Sequence, residues 1–138
     1  MFVGKTRSEL REIACKVLYE SYILDNAKVQ YNINDLVKEE MGIENDFVST
    51  LINGIKEKES DIKNMANESL VGWEIDRLSK VDKAILSIGI YELMYTDTPS
   101  IVAINEAILL SHKYSDEKVT KMINAALDNL YKSRLDTE

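Results

Sequence analysis

A chain of 138 residues has the length of one domain and can enclose a single core without disulfides or metals. Its 45% hydrophobic and 30% charged residues exclude a disordered or fibrous chain, and five Gly and one Pro are too few turn markers for an all-β domain. The net charge of −7 argues at face value against nucleic acid, but residues 1–16 hold four cations against two carboxylates (+2), leaving 13 cations and 22 carboxylates (−9) elsewhere.

From Thr6 to about Leu24 the apolar positions Leu10, Ile13, Ala14, Val17, Leu18 and Leu24 keep helical spacing, and Thr6 followed by Glu9 predicts a capping box at the start. Asp25 to Asn32 reads as a loop, and Ile33 to Met41 as a short helix stopped by Gly42. From Asn45 onward, Phe47, Val48, Leu51, Ile52, Ile55, Ile62 and Met65 outline one longer helix with a solvated run at Lys56 to Asp61. Leu70 to Leu78, which holds the only Trp at Trp73, reads as a connector that plugs the core.

Ser79 precedes Asp82 by three and predicts the cap of the most apolar helix, carried by Val81, Ile85, Ile88, Leu93 and Met94 and ending before Pro99. A further helix runs through Tyr114 and is broken at Ser115 and Asp116. The last, from about Glu117 to Arg134, lines up Val119, Met122, Ile123, Ala126, Leu127, Leu130 and Tyr131. The pattern is all-α.

The start of the chain has no apolar stretch of signal-peptide length, and no window reaches the roughly 18 apolar residues of a membrane span, so a cytoplasmic protein is expected. A lone Cys15 and a lone His112 supply too few soft ligands for a zinc or iron site; no metal and no cofactor are expected. His112 near a helix C-terminus reads as a surface residue, and Cys15 at the margin of a core stripe as a small hydrophobe. Gly4-Lys5-Thr6 has the last letters of a P-loop without room for its upstream glycine. An enzyme is not expected.

The basic end is what remains. Lys5, Arg7 and Arg11 enter or line the first helix, Lys16 follows, and Arg7 and Arg11, four apart, share a face. Two readings stay open. The guanidiniums lie along a phosphate backbone with Tyr19 or Tyr22 available to stack on a base, or four cations sit on a solvated helix beside two glutamates. The residues alone favour the second.

Particular motifs then add to the pattern. Val81-Asp82-Lys83-Ala84-Ile85-Leu86, running through Tyr91-Glu92-Leu93, resembles the signature of the NusB family of antitermination factors. So do Pro99 with Val102-Ala103-Ile104-Asn105-Glu106-Ala107 and Lys113-Tyr114, the start Leu10-Arg11-Glu12-Ile13-Ala14 through Leu18-Tyr19, and Ile123-Asn124 with Leu127-Asp128. The order and separation match over most of the chain, while residues 25 to 70 match only in helix placement.

The resemblance implies a compact bundle of about seven helices in two helical subdomains, within one domain over 1–138 (an N-terminal half, 1–70, and a C-terminal half, 71–138). It implies a factor that binds the boxA element of ribosomal RNA leader transcripts together with NusE, a small-subunit ribosomal protein, within the antitermination complex of RNA polymerase. RNA contacts then fall on Lys5, Arg7, Arg11, Lys16, Tyr19, Met122 and Asn124, and a partner face is expected at Asp76 and Glu92. A homodimer is a further possibility.

The family's consecutive arginines are here Arg7-Ser8-Glu9, and Glu9 repels phosphate, which implies weaker RNA affinity. Met122 stands where an aromatic is usual, Ala125 and Ser115 where glycines are. Three alternatives stay beside this reading: a helical adaptor for proteins that has lost RNA, the RNA-binding appendage of an RNA cytosine methyltransferase, and a hydrolase centred on His112.

Overall fold

Thr6 begins the first helix as expected, its hydroxyl accepting the Glu9 N–H at 3.1 Å while the Glu9 carboxylate accepts the Thr6 N–H at 3.0 Å. Both bonds satisfy amides that a first turn leaves unpaired. The computed structural model describes residues 4–136. Seven α-helices follow one another there: α1 (Arg7–Asn26), α2 (Ile33–Met41), α3 (Asp46–Glu57), α4 (Glu59–Ser69), α5 (Lys80–Tyr95), α6 (Ser100–Tyr114) and α7 (Glu117–Asp136), with one turn of 3-10 helix at Ile75–Arg77 before α5. Among the described residues there is no strand.

Local chemistry sets most of the boundaries. Asn32, Asn45 and Ser79 each accept a backbone N–H three residues on, capping α2, α3 and α5. Gly42 closes α2 in the left-handed region at φ 77°, a conformation that a side chain would oppose.

The expected long helix from Asn45 to Met65 is two helices instead. Lys58, at φ −98° and ψ 15°, ends α3 and begins α4. The cause is tertiary: both helices meet α5, but α3 also packs on α1 and α2 whereas α4 also packs on α7, and one straight axis cannot serve both sets of partners.

The connector also differs in detail. Ile75, 1% exposed, is the residue that plugs the core, while Trp73 remains 42% exposed beneath the Lys118 ammonium. Its sequence neighbours Val71 and Gly72 also face solvent, so the indole has no apolar roof to enter.

The central element is α5, buried continuously from Ala84 to Ile90 and packed on α1, α3, α4, α6 and α7. Ile85, Leu86, Ile88, Ile90 and Leu93 are essentially inaccessible, each contributing about 1.5–3 kcal/mol by leaving water. Gly89 permits a close approach to α6 and α7. A methyl group there would lie 2.9 Å from Leu127 Cδ1 on α7 and 3.2 Å from Ala107 Cβ on α6. One apolar cluster runs from Leu10 on α1 to Leu130 on α7.

Candidate nucleic-acid interface

The first turn of α1 is tied to α6 by three polar contacts. Ser8 donates its hydroxyl to Glu106 at 2.6 Å, Lys113 donates to the Glu12 carboxylate at 2.9 Å, and the Tyr114 hydroxyl donates to the same carboxylate. These bonds hold Glu12 below its ordinary carboxylate value of 4.5, the Lys113 bond first and the Tyr114 bond second. Glu9, whose charge was expected to repel phosphate, has its carboxylate drawn back onto the Thr6 N–H, which also lowers its pKa.

Arg7 and Arg11 do share a face, and the aromatic ring of Phe47 on α3 lies under it, 4.1 Å from the Arg7 guanidinium carbon and 5.7 Å from that of Arg11. Their surroundings then diverge. Arg7 is exposed, whereas Arg11 is 5% exposed and forked onto Glu92, Nε to Oε1 at 2.7 Å and Nη2 to Oε2 at 2.9 Å, with Glu106 3.7 Å from Nη1. Burial works against the guanidinium charge, and the Glu92 bond and charge outweigh it, so the pKa of Arg11 lies above its usual value.

This corrects two expectations. Arg11 spends its charge inside the protein, because the helix face it occupies is covered by α3 and α5. Glu92, 2% exposed, faces Arg11 and accepts the Thr98 hydroxyl at 3.1 Å, so it is not on an outer partner face.

Lys5, Lys16 and Tyr19 are exposed at the start and along α1, and Lys16 and Tyr19 border a hollow with Cys15, Val81 and Tyr114. Asn124 is exposed and Met122 half-buried on α7, which packs on α4, α5 and α6. Asp76 is exposed elsewhere, between Lys63 at 2.6 Å and Lys83 at 3.2 Å, which together pull its carboxyl down. Arg7 thus stands beside Phe47 at the start of α1, with Lys5 just before the helix, whereas Lys16 and Tyr19, nine and twelve residues on, stand beside Tyr114 on another side of it; Asp76 lies in a different cleft, lined by Tyr22, Lys56 and Lys83.

The groups considered for chemistry are placed as follows. His112 is exposed in the last turn of α6. Cys15 is 3% exposed, and burial pushes its thiol up to about 12, which opposes a reactive thiolate. Among the described residues no three of His, Cys, Asp and Glu are grouped to hold a metal, and no helix is long and apolar enough to cross a membrane.

Residues 8–132 match the sequence model of the NusB family. A transcription antitermination protein NusB of Clostridium novyi is 37% identical over 131 residues, covering 92% of this chain and 98% of that protein. The chain belongs to the NusB family. The fold agrees with solved members: a crystal form of T. maritima NusB superposes with a TM-score of 0.79 at 27% identity, covering 94% of this chain and 93% of that one. A chain from a crystal structure of the antitermination factors NusB and NusE in complex with double-stranded RNA superposes with a TM-score of 0.75 at 27% identity, covering 92% and 96%.

Family membership gives the convergence on Arg11 a second meaning. The charged members of three separate NusB-like motifs, Arg11 of the first helix, Glu92 of Tyr-Glu-Leu and Glu106 of Ile-Asn-Glu-Ala, meet at one point. Ser8, where the family has arginine, joins the same point through Glu106. Sequence reading placed Phe47 in the core and passed over Glu106 as a site residue. The available signal was that Tyr91-Glu92-Leu93 and Ile104-Asn105-Glu106-Ala107 each carry a single charge on a largely apolar helix, where a buried partner is the ordinary solution.

Proposed function

We propose that this chain is a transcription antitermination factor that binds boxA-type RNA of ribosomal RNA leader transcripts together with NusE, in the cytoplasm, as part of the antitermination complex on RNA polymerase. The observation that carries the RNA part is the set of exposed cations just before and along α1, Lys5, Arg7 and Lys16, on an otherwise acidic chain whose fold matches a NusB chain solved with NusE and RNA. These cations contact phosphates, and Tyr19, 39% exposed, offers a ring to a base. Met122 and Asn124 on α7 extend the contact. Arg11 acts from within, holding α1 against α5.

The basic ribosomal protein is attracted by the acidic remainder of the chain, and Asp76 is an exposed carboxylate on that surface. RNA binding is weak without it, because Lys5, Arg7 and Lys16 are few cations for a phosphate backbone.

Mobility shifts with boxA-like RNA, with and without NusE, test this. The ternary mixture shifts in a salt-dependent way, and Lys5→Ala, Arg7→Ala and Lys16→Ala each reduce the slope of log affinity against log salt by about 1. A complex with NusE that ignores the RNA at every salt concentration instead makes the chain a protein-only adaptor.

A further inference from the structure

Beside Arg7 lies a cleft of about 570 Å³ between α1, the start of α3 and the end of α5, lined by Asn45, Asp46, Phe47, Thr50, Tyr91 and Thr98 among others. That volume falls in the range of small-ligand sites, about 300–1,000 Å³. Glu92, the buried partner of Arg11, belongs to its lining. We propose that this cleft receives one unstacked base of the bound RNA, which stacks on the outer face of the Arg7 guanidinium while Phe47 supports the inner face. The proposal rests on the RNA-binding reading above and adds a stacking pocket to it.

Three observations favour a neutral planar group over a phosphate. Arg7 lies 4.1 Å above the centre of the Phe47 ring, as a stacked guanidinium does, and a guanidinium so held presents a second flat face. Of the remaining charges of the lining, the Asp46 carboxylate repels phosphate, and Glu92 and Arg11 neutralise each other, so no second cation is left to receive one. The other polar groups suit the edge of a base. The Asn45 side-chain carbonyl caps Val48 N–H at 2.9 Å, which leaves its NH₂ as a donor, and the Thr98 hydroxyl, donating to Glu92 and accepting from Thr96 at 3.0 Å, keeps one lone pair as an acceptor. Arg7 thus has two functions, charge for the backbone and a plane for the base.

The two functions separate on substitution. Arg7→Lys keeps the charge and removes the plane; Phe47→Leu keeps apolar bulk and removes the support. With full-length protein, NusE and a boxA-type single-stranded RNA, fluorescence anisotropy over a series of salt concentrations reads both affinity and slope. Arg7→Lys and Phe47→Leu each weaken RNA binding on the order of tenfold with the slope unchanged, while the melting temperature of Arg7→Lys stays at the wild-type value. If Arg7→Lys binds like wild type and only Arg7→Ala weakens, Arg7 is a phosphate contact and the pocket is overturned. If Phe47→Leu weakens NusE binding in the absence of RNA, the cleft belongs to the protein partner and the proposal fails equally. Wild-type protein with no salt-dependent RNA binding would sink the functional reading itself, a result distinct from the other two.

Discussion

Burying a guanidinium beside a carboxylate strips hydration from both ions, and the Arg11–Glu92 pair compensates through two parallel bonds of 2.7 and 2.9 Å and the added contact to Thr98. Each ion alone is therefore a liability. Arg11→Met leaves the Glu92 carboxylate unpaired in the interior and is expected to cost about 3–5 kcal/mol in urea unfolding. Adding Glu92→Met removes the orphaned charge and restores most of that loss. Equal destabilisation in the single and double variants would show that the pair is not the cause. The spacing of Arg7 and Arg11 was legible in the sequence as one shared face; which of the two met solvent was not, because that depends on α3 and α5 arriving from 30 and 80 residues away.

At the scale of elements, α1 is anchored to α6 by Glu12, whose carboxylate receives Lys113 and Tyr114. Glu12 has a folded pKa below its ordinary 4.5, so the unfolded chain takes up the proton first as pH falls. Its stabilising contribution is whole above pH 4.5 and is lost as the pH drops through the lower folded value. Glu12→Gln should accordingly lower the melting temperature at pH 7 and leave it unchanged at the acid end of the titration, measured by circular dichroism. A difference that persists undiminished at low pH would assign the effect to packing. The helix ends here were readable because caps are local: Thr6, Asn32, Asn45 and Ser79 act on amides three residues away. The break at Lys58 was not readable, since Lys56 to Asp61 is compatible with a helix and only the separate partners of α3 and α4 divide it.

For the molecule as a whole, a single apolar cluster joins the helices on either side of residue 70, and α4 reaches α7 as well as α5. We propose that the halves 1–70 and 71–138 unfold together as one domain. Cys15 is a built-in reporter: 3% exposed, its thiol raised to about 12, it reacts with a thiol reagent only when α1 leaves the core. Its labelling rate across a urea series should follow the same transition as the loss of helix. Labelling that precedes the loss of helix would reveal α1 detaching as a separate unit.

What could be read from the chain alone was whatever depends on near neighbours: the helical periods, the caps, the stop at Gly42, and the motifs that resemble the NusB family. The side chains of the candidate interface divide differently. Lys5, Arg7, Lys16 and Tyr19 are exposed, before and along α1, and the charge asymmetry of the sequence already pointed there. Arg11, Glu92 and Glu106 look the same in sequence as any surface charge, and their pairing exists only because α1, α5 and α6 cross at one place. A charge carries no mark of whether water or a carboxylate will solvate it, and that choice is made by packing between segments far apart in the chain.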